Sequence, residues 1–82
     1  MAKYVHDQRA WEDLANAIIE LAVLDYREAL VWLRDHPESK SAEQQVEEAE
    51  GFFRSARFGK YTDLNPEYLI KKIKKIVSEE GS

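Results

Sequence analysis

The residues best suited to do chemistry lie in the middle and last third of the chain. Arg54, Arg57 and Lys60 interleave with Phe58 and Tyr61, and Lys71, Lys72, Lys74 and Lys75 follow at close spacing. Cations alternating with aromatic rings suit phosphate contacts combined with base stacking, as in a small nucleic-acid-binding module, or the capture of a small anion. The same lysines, set opposite Ile70, Ile73 and Val77, also describe the solvated face of an ordinary amphipathic helix. A second candidate is Asp25, whose helical neighbours are Leu21, Ala22 and Ala29. A carboxylate buried among them must be neutralised, hydrogen-bonded or paired, because an isolated buried charge is too costly. Arg54, Arg57, Lys60 and the hydroxyls of Tyr61 and Tyr68 are the partners within the chain. Asp25 is therefore expected to be a buried polar tie between the first helix and the segment 54–61.

Other chemistries find little support. His6 and His36 fall at opposite ends of the first helix, and neither belongs to an HExxH-like ligand spacing. The chain has no cysteine, which rules out disulfides and thiolate metal sites. No Gly-x-Ser-x-Gly elbow is present, and three scattered glycines form no phosphate-cradling loop. The expectation is a non-enzymatic protein with no metal and no cofactor.

Positioning these residues falls to helices. The stretch from Trp11 to Leu33 contains neither Gly nor Pro, and its apolar residues fill an arc of roughly 160° at 100° per residue. That arc, from Trp11 and Leu14 through Tyr26 to Trp32 and Leu33, is wide enough to require cover along most of its length. Leu24 and Val31 lie outside it, beside Glu20 and Arg27, and are expected to be bare apolar residues open to a partner or a second copy. Tyr4-Val5-His6 reads as an extended lead-in, Asp7 as the N-cap, and the helix as running over 8–35, stopped by Pro37. About 28 residues give a rod of roughly 40 Å, long enough to act as a spine.

The second helix is predicted over 42–57, opened by a capping box at Ser41-Ala-Glu-Gln44 with Ser39 as the alternative cap. Ala42, Val46, Ala49, Phe52, Phe53 and Ala56 mark its inner face, and Glu43, Glu47, Glu48 and Glu50 its outer one. Gly51 signals either a close helix crossing or a break, and Gly59 suits a left-handed cap. Asn65-Pro66-Glu67 is a strong helix start, so a third helix is predicted over 66–78, with its Leu/Ile stripe packed on the first and 79–82 as a frayed tail.

Composition agrees with one small all-α domain spanning 1–82. Hydrophobic residues make up 44% of the chain, Gly and Pro are few, and Ala, Glu, Lys, Leu and Arg are abundant. The net charge of −4 hides a polarity: residues 51–77 carry seven Lys/Arg against two Asp/Glu, whereas residues 1–50 carry five against twelve. Such asymmetry can dock the basic third on the acidic remainder or attract a charged partner. No basic leader with an apolar core opens the chain, and no apolar run is long enough to span a bilayer, so a cytoplasmic protein with no membrane contact is expected.

Phe52-Phe53-Arg54-Ser55-x-x-Phe58 and Thr62-Asp63-Leu64-Asn65-Pro66-Glu67-Tyr68-Leu69-Ile70, with Ala15-Asn16-Ala17-Ile18-Ile19 and Asp25-Tyr26-Arg27-x-Ala29-Leu30, resemble small helical proteins of phages and integrated elements in Gram-positive bacteria. The chain departs from that pattern at Arg57 and Pro66. The resemblance implies an accessory protein that acts by binding, with no catalytic residue to transfer. A protein partner or self-association as a homodimer is thus expected, with possible inhibition or modulation of a host system. A nucleic-acid-binding module built on 54–75 is the alternative.

Overall fold

The computed structural model describes residues 8–80. It contains four helices and, among these residues, no strand: α1 Gln8–Asp35, α2 Lys40–Phe53, α3 Ala56–Gly59 and α4 Pro66–Glu80. The all-α expectation holds, and α1 is the spine on which α2 and α4 pack, with α3 set against α2. Its 28 residues account for most of the 48 Å long axis of the molecule. Asp7, the expected cap of α1, the lead-in at 4–6 and the tail residues 81–82 lie outside the described residues.

The segment predicted as one helix over 42–57 divides in two. α2 begins earlier, because Ser39, the alternative cap, accepts the Ala42 N–H at 3.2 Å, while Ser41 lies inside the helix. The chain turns after Asp35 through the Ser39 N–H to His36 carbonyl bond of 2.9 Å. α2 ends at Phe53, where Ser55 takes an extended backbone (ψ 158°) and its hydroxyl accepts the Phe58 N–H at 3.3 Å, capping the single turn of α3. The break has a packing consequence. In one continuous helix Phe53 and Phe58 would point about 140° apart. Re-aimed by the Ser55 turn, both are buried, with ring centroids 5.3 Å apart in an edge-to-face contact.

The glycines play neither of the roles that sequence suggests. Gly51 is an exposed residue within α2, with open space where a Cβ would stand, so it marks neither a crossing nor a break. Gly59 closes α3 without a positive φ, and the cap is Lys60 in ordinary right-handed geometry. The start of α4 follows expectation, Asn65 Oδ1 accepting from the Glu67 N–H at 2.9 Å and from the Tyr68 N–H at 3.4 Å. α4 then runs two residues beyond the predicted end, its last turn held by the paired Arg27 and Glu80 side chains.

The core forms where all four helices meet. Tyr26 of α1, Phe53 of α2, Phe58 of α3 and Ile70, Ile73 and Val77 of α4 are buried together. Each large side chain removed from water there contributes about 1.5–3 kcal/mol, and the edge-to-face rings add to it. Alanines make close approach possible: Ala15, Ala29 and Ala42 are almost fully enclosed.

Candidate functional site

The cluster Arg54, Arg57, Phe58, Lys60 and Tyr61 does not converge on one site. Phe58 is 1% exposed and belongs to the core, so its face is closed to a base. The Tyr61 ring is half-buried and stacks on Trp11, with centroids 5.9 Å apart. Arg54 is exposed but engaged by neighbouring carboxylates, its guanidinium forked across the Glu67 carboxylate at 2.6 and 3.0 Å and reaching Glu50 at 3.5 Å. Arg57 is exposed. Lys60 and Tyr61 share a hollow of about 340 Å³ with Glu12 and Asp63, whose carboxylates oppose an anion there. Lys71, Lys72 and Lys75 point to solvent from α4.

Asp25 corrects the second expectation, since it is exposed and no charged side chain among the described residues is buried. The polar tie exists one residue along. Tyr26 is fully enclosed, and its hydroxyl donates to Glu50 Oε2 at 2.7 Å. Glu50 also meets Lys74 Nζ at 3.3 Å, so one carboxylate links α1, α2 and α4. Burial raises the Tyr26 phenol above its ordinary pKa, and the hydrogen bond to Glu50 and that residue's charge push the same way. Partial burial alone would raise Glu50. The Tyr26 bond, Lys74 and Arg54 outweigh it and hold the carboxyl below its ordinary range.

Sequence spacing misplaced Asp25 because the covered face of α1 is narrower than its apolar arc and centres on Ala15, Tyr26 and Ala29. A buried phenol needs a hydrogen-bond partner, and Glu50 lies four residues after Val46 and three before Phe53, on the inward side of α2. That spacing was the available signal. Asp25→Asn is accordingly expected to leave stability within about 0.5 kcal/mol of the parent, as at ordinary surface positions. A melting-temperature loss of many degrees in thermal unfolding would show that Asp25 has a partner after all.

The apolar residues outside the covered face are the feature that sequence reasoning missed. Leu14 is 54% exposed, Leu21 61% and Trp32 55%. With Trp11, Ile18, Asp25 and Glu28 they recur at alternating intervals of three and four, the spacing of a coiled-coil seam. Leu24 flanks this seam and is exposed, as expected; Val31 is half-buried against the core and is not a bare residue. The distal seam borders an open groove of about 670 Å³ between α1 and α2. Ala22, Ala29, Ala49 and Phe52 form its apolar part and Trp32 stands at one side, stacked on His36 at 4.1 Å. Asp25, Glu28 and Glu48 line it, with Gln45 as the other polar group and no cation.

Among the described residues no group of His, Cys, Asp and Glu is arranged to hold a metal, and no helix is long and apolar enough to cross a membrane. The geometry offers apolar contact and negative charge on one face, and solvated lysines on another. No family model, curated protein or solved structure matches the chain.

Proposed function

We propose that the protein is a non-catalytic accessory factor of a phage or integrated element, acting by protein–protein contact that modulates or inhibits a host system, and that its working surface is the α1 seam with the adjoining groove. The observation that carries this reading is the exposure of Leu14, Leu21, Leu24 and Trp32 along one helix. Soluble chains rarely leave several large apolar side chains in a row bare without a partner for them. The groove supplies hydrophobic contact and charge rather than a paired nucleophile and base. The resemblance to mobile-element proteins supports a binding role by analogy. Nucleic-acid binding is less well supported, because Phe58 is closed and Arg54 and Lys74 are engaged with Glu67 and Glu50.

A pull-down from a nuclease-treated Gram-positive lysate tests the proposal. The parent chain is expected to retain a protein that the Leu21→Glu/Trp32→Glu variant loses. Capture that disappears with nuclease treatment, or that ignores the seam and depends on Lys71, Lys72 and Lys75, overturns it.

A further inference from the structure

We propose that the α1/α2 groove is a receptor for a basic amphipathic helix of a partner protein. This rests on the preceding reading and specifies the partner's chemistry. The apolar part of the groove, with Trp32 at its side and the exposed Leu21 one residue before Ala22 on the same helix, calls for an apolar stripe; a helix laid into a groove supplies one at intervals of three and four residues. The rim dictates charge. Asp25, Glu28 and Glu48 form no ion pair among the described residues, and Glu48 accepts only the Gln44 amide at 3.1 Å. The cations of distal α1 are engaged elsewhere: Arg27 is paired with Glu80 and feels Glu28 only through its charge, and Arg34 is held by Asp35 and the Val77 carbonyl. An uncharged or acidic helix would desolvate three carboxylates that have no ion-pair partner, Glu28 feeling only the charge of Arg27, whereas Lys or Arg beside the apolar stripe would pair with them.

The same reasoning disfavours a second copy as the occupant. A symmetric α1–α1 pairing brings together two seams that each carry Asp25 and Glu28, and no seam position supplies a cation. The α1 wall of the groove, from Ala22 to Trp32, extends about 15 Å, and with the bare seam back to Leu14 about 27 Å, which a helix of roughly 18 residues matches.

The probe is a synthetic Trp-free peptide of that length, with Leu on one face and Lys on its flanks, titrated into the Trp11→Phe chain while Trp32 fluorescence is followed. Saturable binding with a blue shift is expected. It should weaken about tenfold in the Asp25→Asn/Glu28→Gln/Glu48→Gln variant and weaken in raised salt. Equal binding of a Glu-flanked or scrambled peptide, undiminished binding by the neutralised variant, or no binding overturns the proposal. So does light scattering that shows a stable dimer with Trp32 shielded. If the lysate partner depends on Leu21 and Trp32 but is indifferent to the three carboxylates, the basic-helix inference fails and the interaction reading stands. If the peptide binds as described while lysate capture ignores the seam, the interaction reading fails instead.

Discussion

Phe58→Ala is expected to lose about 3–5 kcal/mol of stability, the range for truncating a buried phenylalanine. A small domain has only about 5–15 kcal/mol in total, so the variant should be partly unfolded at physiological temperature. The cause is specific. Phe58 makes edge-to-face contacts with both Phe52 and Phe53, at centroid separations of 5.7 and 5.3 Å, and is enclosed where α3 returns to the core. Arg57→Ala, its exposed neighbour, should remain within about 0.5 kcal/mol of the parent. Denaturant unfolding of the two variants separates a core residue from a stacking platform. A native-like Phe58→Ala with lost nucleic-acid affinity would reverse the assignment.

Glu50→Ala is expected to cost about 1–3 kcal/mol, because it leaves the enclosed Tyr26 hydroxyl unpaired and removes the anion facing Lys74 and Arg54. Tyr26→Phe should cost less, about 0.5–1.5 kcal/mol, since Glu50 keeps its two cations. At roughly 4–8 °C of melting temperature per kcal/mol for a domain of this size, calorimetry resolves both. The network also fixes an acid limb. Hydrogen bonding from Arg54 lowers the pKa of Glu67, and hydrogen bonding from Arg27 lowers that of Glu80, as the Tyr26, Lys74 and Arg54 contacts together lower that of Glu50. Each carboxyl therefore binds its proton more weakly folded than unfolded. Their stabilisation is fully present above the ordinary glutamate value of 4.5 and is lost as pH falls through the lower folded values. Stability should rise with pH across that window, and Glu50→Ala should flatten the rise. An unchanged acid limb in Glu50→Ala would remove this carboxylate from the account.

The helices were legible because their signals are local. Pro37 ends α1, Asn65-Pro66-Glu67 starts α4, and the Ile70, Ile73, Val77 stripe is the face that becomes buried. The Ser55 break was not legible, since Ser55 also fits a helix interior. The Ser55 cap and the burial of Phe53 and Phe58 together stand against continuity. The site was misread for a related reason. Periodicity reports an apolar arc but not how much of it neighbours can cover, and α2 and α4 enclose Tyr26 and Ala29 while leaving Leu21 and Trp32 in solvent. The basic residues stood out in sequence, yet Arg54 and Lys74 are bound to Glu67 and Glu50 across distances in sequence that spacing does not reveal.

The claim that the bare seam of α1 is the working surface is tested most directly in living cells that express the chain. A photo-reactive phenylalanine analogue is placed at Leu21 in one chain and at Lys72 in another, and the products formed on irradiation are separated. The seam account predicts a covalent adduct with a protein from position 21 and none from position 72. An adduct from position 72 alone, or one that nuclease digestion removes, would contradict it.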